Sequence, residues 1–195
     1  METISQEALK QLFTEARTYH HWTNKEVSDQ TLKDIYELME LGPTSANGCP
    51  ARILFIKNGP EKQKLIDCLA PPNVEKVKTA PVTAVIAFDE KFYEQINRLY
   101  PVFSFYDYFA SNKELADITA LRNSSLQGGY FILAARALGL DCGPMSGFDN
   151  KKLDEVFFKG TSWKSNFICN VGYGDKSKLH PRMPRLTFDE ACKIV

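Results

Sequence analysis

The chain of 195 residues carries no excess charge of either sign, because 24 basic residues balance 24 acidic ones. That balance argues against a dedicated nucleic-acid binder, which shows a basic excess or stripe. It argues equally against electrostatic adhesion to an anionic membrane surface. No apolar run approaches the ~20 residues that cross a bilayer. The opening residues, Met1-Glu2-Thr3-Ile4-Ser5-Gln6-Glu7, are acidic and lack an apolar core, so a secretory signal is not expected. Cysteine is scarce, with five residues at wide spacing and no Cys-x-x-Cys. An odd, dispersed set fits reduced thiols in the cytoplasm better than a disulfide framework. Histidine is scarcer still, at three. Two of them, His20 and His21, are adjacent and point apart, so no metal site is expected. The nucleotide signatures Gly-x-x-x-x-Gly-Lys and Gly-x-Gly-x-x-Gly are absent. Gly172-Tyr173-Gly174-Asp175-Lys176-Ser177 has the wrong spacing for a phosphate loop and reads as a turn after a strand. With no repeat, low-complexity tract or linker, residues 1–195 are expected to form a single domain.

What is present is a mixture of helical and strand periodicities. Ile4, Ala8, Leu9, Leu12, Phe13 and Ala16 predict a first helix from Thr3 to about Ala16, with Thr3 and Gln6 as a capping box. Ser28 caps a second helix, striped by Leu32, Ile35, Tyr36 and Met39 and ended by Gly42-Pro43. Residues 52–57 and 81–88 are strand candidates. The second is almost continuously apolar, as strands buried on both faces are. Pro60 to Leu69 reads as a short helix, and Glu114 to Leu138 as the longest one, with Gly139 as its stop. Residues 167–173 form a third strand candidate. The aromatic stretch 92–109 has no assignable period, and Leu186 to Val195 reads as a tail or short helix. Strands and helices mingle without βαβ regularity, which predicts an α+β fold.

Four segments carry the hydrogen-bonding chemistry. Residues 42–50, Gly-Pro-Thr-Ser-Ala-Asn-Gly-Cys-Pro, form a loop pinned by two prolines and two glycines beside a core strand. Such a loop suits gripping a flat ligand with polar edges. Residues 17–22, Arg-Thr-Tyr-His-His-Trp, offer a guanidinium at a helix end, and a planar fork suits phosphate. A second pinned loop, Gly143-Pro144-Met145-Ser146-Gly147-Phe148, can bring backbone close to a ring. His180-Pro181-Arg182-Met183-Pro184-Arg185 sets two more arginines between prolines.

In this order the segments resemble the flavin-dependent nitroreductase family, and within it the malonic semialdehyde reductase-like branch linked to pyrimidine breakdown. The match runs through Ala16-Arg17-Thr18, Trp22, residues 42–47, Pro50-Ala51-Arg52, residues 80–84, Phe92-Tyr93-Glu94, Arg122-Asn123-Ser124-Ser125, residues 136–141, residues 143–149, Lys164-Ser165-Asn166, residues 172–175 and Pro184-Arg185-Leu186. It spans nearly the whole chain. The resemblance implies a mainly antiparallel mixed sheet flanked by helices, with the long central helix at a homodimer interface and FMN bound there. By resemblance, Arg17 and Arg185 hold the FMN phosphate, with Arg182 as helper. Thr18, Tyr19 and His21 belong to the N-terminal flavin segment. Pro43, Thr44, Ser45 and Asn47 line the isoalloxazine and ribityl chain, and Pro144, Met145, Ser146 and Gly147 lie along the ring near its N5 edge. The implied activity takes hydride from NADH or NADPH to flavin N5. It then passes hydride to a small electrophile, such as malonic semialdehyde or another aldehyde, an enal, a nitroaromatic or a quinone, in a ping-pong cycle. A carboxylate on that substrate would meet Arg122 or Arg52. No catalytic acid or base is required, and solvent, Tyr19 or a flavin hydroxyl could supply the proton. The chain departs from the wider family in three places. It has His20-His21 where a second basic residue is usual, Cys49 where a glutamine is common, and Met145-Ser146 where a glutamate is common. These changes touch the flavin edge and the substrate range. A flavin sensor or store with little turnover is the alternative reading, and a nucleotide- or metal-binding regulator is a third.

Overall fold

Strand β2 (Val82–Asp89) is the centre of the molecule, and its first six residues are buried. In the computed structural model, which describes residues 2–195, it lies between β1 (Ala51–Lys57) and β4 (Trp163–Gly172). The fourth strand, β3 (Asp141–Met145), pairs with β4, so the order is β1-β2-β4-β3 with every pair antiparallel. A register shift between Ile86 and Ala87 bulges the β2–β4 pairing. Among the described residues nine α-helices surround the sheet: α1 (Gln6–Leu9), α2 (Asp29–Met39), α3 (Pro60–Ile66), α4 (Val74–Thr79), α5 (Ile96–Leu99), α6 (Tyr106–Ala110), α7 (Lys113–Ala137), α8 (Asn150–Phe157) and α9 (Phe188–Ala191).

Alternation along β2 divides the core in two. Val82, Ala84 and Ile86 pack with Leu32, Ile35 and Met39 of α2 and Phe131 and Ala135 of α7. Val85 and Ala87 face the other way, onto Leu65, Val77 and Leu153 of α3, α4 and α8. A third cluster, Phe92, Ile96, Phe109, Ala116 and Ala120, fastens the aromatic stretch to the start of α7. Helix α7 runs 25 residues, about 38 Å at 1.5 Å per residue. Asn112 opens it, its Oδ1 accepting from Leu115 N at 3.0 Å, and Gly139, at φ 78°, follows its end. At Gly128 the helix comes so close to the sheet that a Cβ would lie 2.5 Å from the Phe167 ring.

The structure corrects three expectations. The first helix does not run from Thr3 to Ala16. Ser5, not Thr3, caps it, accepting from Ala8 N at 3.2 Å, and after Leu9 the backbone widens into a single π turn, Lys10–Thr14. None of α1 is buried, so its apolar stripe has no core within this chain to hold it regular. Residues 143–145 are strand, not loop. Asp, Gly and Pro are poor strand formers, but pairing of Cys142 with Val171 and Pro144 with Cys169 overrides propensity. Strand β4 begins at Trp163, four residues before the expected start. The unassigned aromatic stretch holds a 3-10 turn, α5 and α6. The C-terminal tail contains α9, opened by a Thr187–Glu190 capping box.

Candidate functional site

The connector after the first helix is laid along the sheet edge. Tyr19 N donates to Cys142 O at 3.0 Å, Thr23 N to Tyr173 O at 2.8 Å, and Asp175 N to His21 O at 3.0 Å. Two glycines make this approach possible. A Cβ on Gly143 would lie 2.4 Å from Tyr19 O, and one on Gly174 would lie 2.0 Å from the Tyr19 ring. Tyr19 is therefore buried, at 4% exposure. Burial raises its pKa, the nearby Asp141 carboxylate adds to the rise, and Arg17 opposes it. The phenol stays protonated and can only donate or accept a hydrogen bond.

Between this connector and the chain's last segment lies a cleft of about 480 Å³. It is lined by Arg17, Thr18, Tyr19, His21, Arg182 and Arg185, with Phe13, Arg136, Lys178 and His180. Its arginines are held by carbonyls alone. Arg17 Nη2 donates to His180 O. Arg182 Nη2 donates to Thr14 O at 2.8 Å and Ala16 O at 2.9 Å. Arg185 Nη1 donates to Met183 O and Pro184 O. Among the described residues no carboxylate pairs with any of the three. Among the described residues Asp175 is the one acid lining the cleft, and its oxygen lies 3.9 Å from Lys178 Nζ. Arg136 gives Nη1 to Leu12 O at 2.9 Å, while its buried Nε has no partner. His20 is held below the usual histidine range by burial first, then by Lys76, His21 and His180. Guanidiniums that no carboxylate pairs, outnumbering the single acid Asp175 in the lining, make a cleft suited to an anion, and planar forks favour phosphate.

The opening loop is built separately, on α7. Ser45 N donates to Asn123 Oδ1 at 2.8 Å, and Ala51 N to Gln127 Oε1 at 2.9 Å. Gly42 lies against the Tyr130 ring. Ala46, Asn47 and Cys49 take φ of 49°, 47° and 41°, a left-handed geometry that costs non-glycine residues about 1–2 kcal/mol apiece. Local bonds hold it: Thr44 Oγ1 accepts from Cys49 N at 3.1 Å, and Asn47 Nδ2 donates to Leu99 O at 2.8 Å. Pro43, Ser45 and Asn47 are exposed, and Thr44 is half-buried. The third segment continues β3. Met145 is buried in the core beside Ile168, which leaves only its backbone for a ligand. Ser146 is exposed, and Gly147 O accepts from Ala70 N and Asn73 Nδ2, each at 3.0 Å.

Within one chain the expected residues thus fall into two groups. Arg17, Thr18, Tyr19, His21, Arg182 and Arg185 share the cleft, and Pro144 to Gly147 extend the strand to which Tyr19 is bonded. Pro43, Thr44, Ser45 and Asn47 do not line that cleft. Arg52 is already occupied, with Asp89 at 2.7 Å and the Cys49 and Ala51 carbonyls. Arg136, Lys178, Asn123 and Gln127 were not singled out for these tasks from the sequence. Arg136 was nevertheless visible as the basic residue in the last turn of α7.

An antiparallel four-stranded sheet beneath one long helix, with an arginine-lined cleft along its edge strand, defines the class: an α+β protein of the nitroreductase-like fold. The chain belongs to the Nitroreductase family, whose profile matches residues 4–173. A relative from Stutzerimonas stutzeri is 55% identical over 191 residues, covering 98% of this chain and 97% of its own, and bears the provisional name NADH dehydrogenase/NAD(P)H nitroreductase. A solved nitroreductase from Bacillus subtilis superposes with a TM-score of 0.89 at 19% identity, covering 98% of this chain and 100% of that one. A nitroreductase from Exiguobacterium sibiricum, solved in complex with FMN, superposes with a TM-score of 0.82 at 22% identity, covering 100% of this chain and 99% of that one.

Proposed function

We propose that residues 1–195 form one domain of a homodimeric, FMN-dependent NAD(P)H oxidoreductase of the malonic semialdehyde reductase type. The observation that carries this reading is the set of Arg17, Arg182 and Arg185 beside the sheet edge, none of them ion-paired to a carboxylate among the described residues. The set fits a phosphomonoester: three guanidiniums offer donors to a dianion, and the buried, unpartnered Arg136 Nε adds positive charge at the same cleft. In this reading Arg17 and Arg185 bind the phosphate and Arg182 supports them, with Thr18, Tyr19 and His21 along the cleft wall. Pro144, Met145, Ser146 and Gly147 present backbone and one hydroxyl to the ring. Pro43, Thr44, Ser45 and Asn47 serve from the partner subunit, which accounts for their place outside the arginine cleft. The outward face of α7 supports the dimer, because Leu121, Leu126 and Tyr130 are exposed there, and such a stripe calls for a cover.

When bound, FMN supplies two-electron hydride chemistry between a reduced nicotinamide and the second substrate. The chain's own residues bind, orient and tune. Tyr19 belongs to the phosphate end, buried against Gly174, so the proton for a carbonyl acceptor comes from solvent. The name of the Stutzerimonas relative supports NAD(P)H as reductant, and the Exiguobacterium complex supports FMN. The five free thiols fit a cytoplasmic setting.

The visible spectrum of purified protein, before and after anaerobic NADH or NADPH, tests this reading. A flavin spectrum that bleaches within the turnover time is expected. Protein that stays colourless after FMN addition and desalting overturns it. Flavin that is bound but reduced sluggishly by both nucleotides supports a sensor or store instead.

A further inference from the structure

We propose that His20 and His180 complete the phosphate site as proton-dependent ligands, so that the chain takes up protons as it captures FMN and holds FMN less tightly as pH rises through neutrality. This deepens the FMN reading and rests on it. The chain has three histidines, and all three line the arginine cleft. They reach it from two directions. His20 and His21 lie on the connector, which is fixed on either side of the His20 ring. Tyr19 N donates to Cys142 O, and His21 O accepts from Asp175 N, each at 3.0 Å. His180 comes with the chain's last segment, and its carbonyl accepts from Arg17 Nη2. That bond brings the two segments, and with them the histidines, to one place. His20 is half-buried, and His21 and His180 are exposed. Among the described residues no carboxylate forms an ion pair with any of the three.

The charged groups of the lining, apart from the histidines, are Arg17, Arg136, Asp175, Lys178, Arg182 and Arg185. A guanidinium keeps its charge at every pH the protein meets. Hydrogen bonds from Ser177 hold Asp175 below the usual carboxylate range, so it is ionised throughout. Burial holds the Tyr19 phenol protonated. Imidazole is the side chain whose charge changes near neutrality. Burial, then Lys76 of α4, His21 and His180 keep His20 below the usual histidine range, with no carboxylate among the charges that reach it. In the protein alone these cations therefore disfavour a proton on His20. A phosphate dianion seated among them reverses that balance, because an opposite charge within ~4–6 Å favours the protonated ring. The proton then adds a charge-assisted hydrogen bond to the phosphate.

The test is calorimetric titration of the flavin-stripped full chain with FMN at pH 7.5, in HEPES and in Tris. The two buffers differ in ionisation heat, so the difference in measured heat counts the protons exchanged. Native protein is expected to take up protons with FMN and none with riboflavin, which lacks the phosphate. Each whole proton taken up makes the affinity fall about tenfold per pH unit, so FMN binding is expected to weaken roughly 3- to 10-fold from pH 6.5 to 8.0. The phosphate itself pulls the other way. Its second ionisation, at about pH 6, releases protons when a cationic site binds the dianion. The double variant His20→Asn, His180→Asn is therefore expected to lose the uptake and the fall in affinity with pH. His180→Lys, which carries a fixed charge, is expected to keep its affinity at pH 8.0 while losing part of the uptake. Native protein that takes up no protons with FMN overturns the proposal. So does a double variant that keeps the native uptake, or an equal uptake with riboflavin, which would place the titrating group at the ring. Failure of the underlying flavin reading appears separately, as native protein that binds no FMN at any pH, and it overturns both.

Discussion

The backbone N–H of Ser45 is held by the side chain of Asn123, 78 residues away, at 2.8 Å. The same amide gives its own Nδ2 to Thr119 O at 2.8 Å, so its orientation is set from both ends. A loop containing three left-handed non-glycine residues is thus pinned to the most regular element of the fold. Asn123→Leu leaves the Ser45 N–H without its acceptor. Urea denaturation is expected to show a loss of about 1–3 kcal/mol, and FMN titration a weaker complex.

The arginine cleft predicts how the flavin is selected. Each guanidinium–phosphate interaction is worth about 1.5–3 kcal/mol, so Arg17→Ala and Arg185→Ala are each expected to weaken FMN binding by roughly 10- to 100-fold. Riboflavin, which lacks the phosphate, should bind native protein far more weakly than FMN and respond little to either substitution. Fluorescence quenching titrations of both flavins against all three proteins check this.

The outward stripe of α7 predicts the assembly. Leu126 is 50% exposed in the single chain, and a charge in its place costs little there. Leu126→Arg is expected to leave the secondary structure intact by circular dichroism and to shift the elution volume towards monomer. FMN retention should fall with it, because the opening loop and the arginine cleft would no longer be supplied to one site.

Asp141 predicts a pH dependence. Burial raises its pKa above the ordinary 3.8, opposed by the Gly174 N–H and by Lys176 and Arg136. A raised folded pKa means that the folded state holds the proton more tightly than the unfolded chain does. Stability therefore falls as pH rises through the window that opens near 3.8. Asp141→Asn removes this contribution while keeping an oxygen for the Gly174 N–H. Urea midpoints measured from pH 3 to 7 are expected to move in favour of Asp141→Asn as the pH increases.

Some elements were readable along the chain and others were not, for reasons that can be traced. Helix α2 was legible because Ser28 caps it and Leu32, Ile35 and Met39 repeat at helical spacing. Strand β2 was legible because a strand buried on both faces is apolar throughout. Strand β3 was hidden because Asp141, Gly143 and Pro144 do not read as strand, and only their partners on β4 make them one. The first helix was overextended because its apolar periodicity has no core to bury against. At the site, Arg17, Arg182 and Arg185 stood out by residue type. Asn123 and Gln127 did not, since an amide on a long helix looks the same whether or not it holds a distant loop.

The sequence by itself determined the α+β class, the long helix, the central strands and the residue types able to grip a phosphate, because propensity, periodicity and side-chain chemistry act locally. Only the tertiary structure decided that Arg17 meets His180, that Tyr19 lies in the space left by Gly174, and that the opening loop rests on α7 away from the arginines. Those relations join residues tens to more than a hundred and fifty positions apart. They are set by strand pairing and by close approach at glycine, which no local pattern along the chain records.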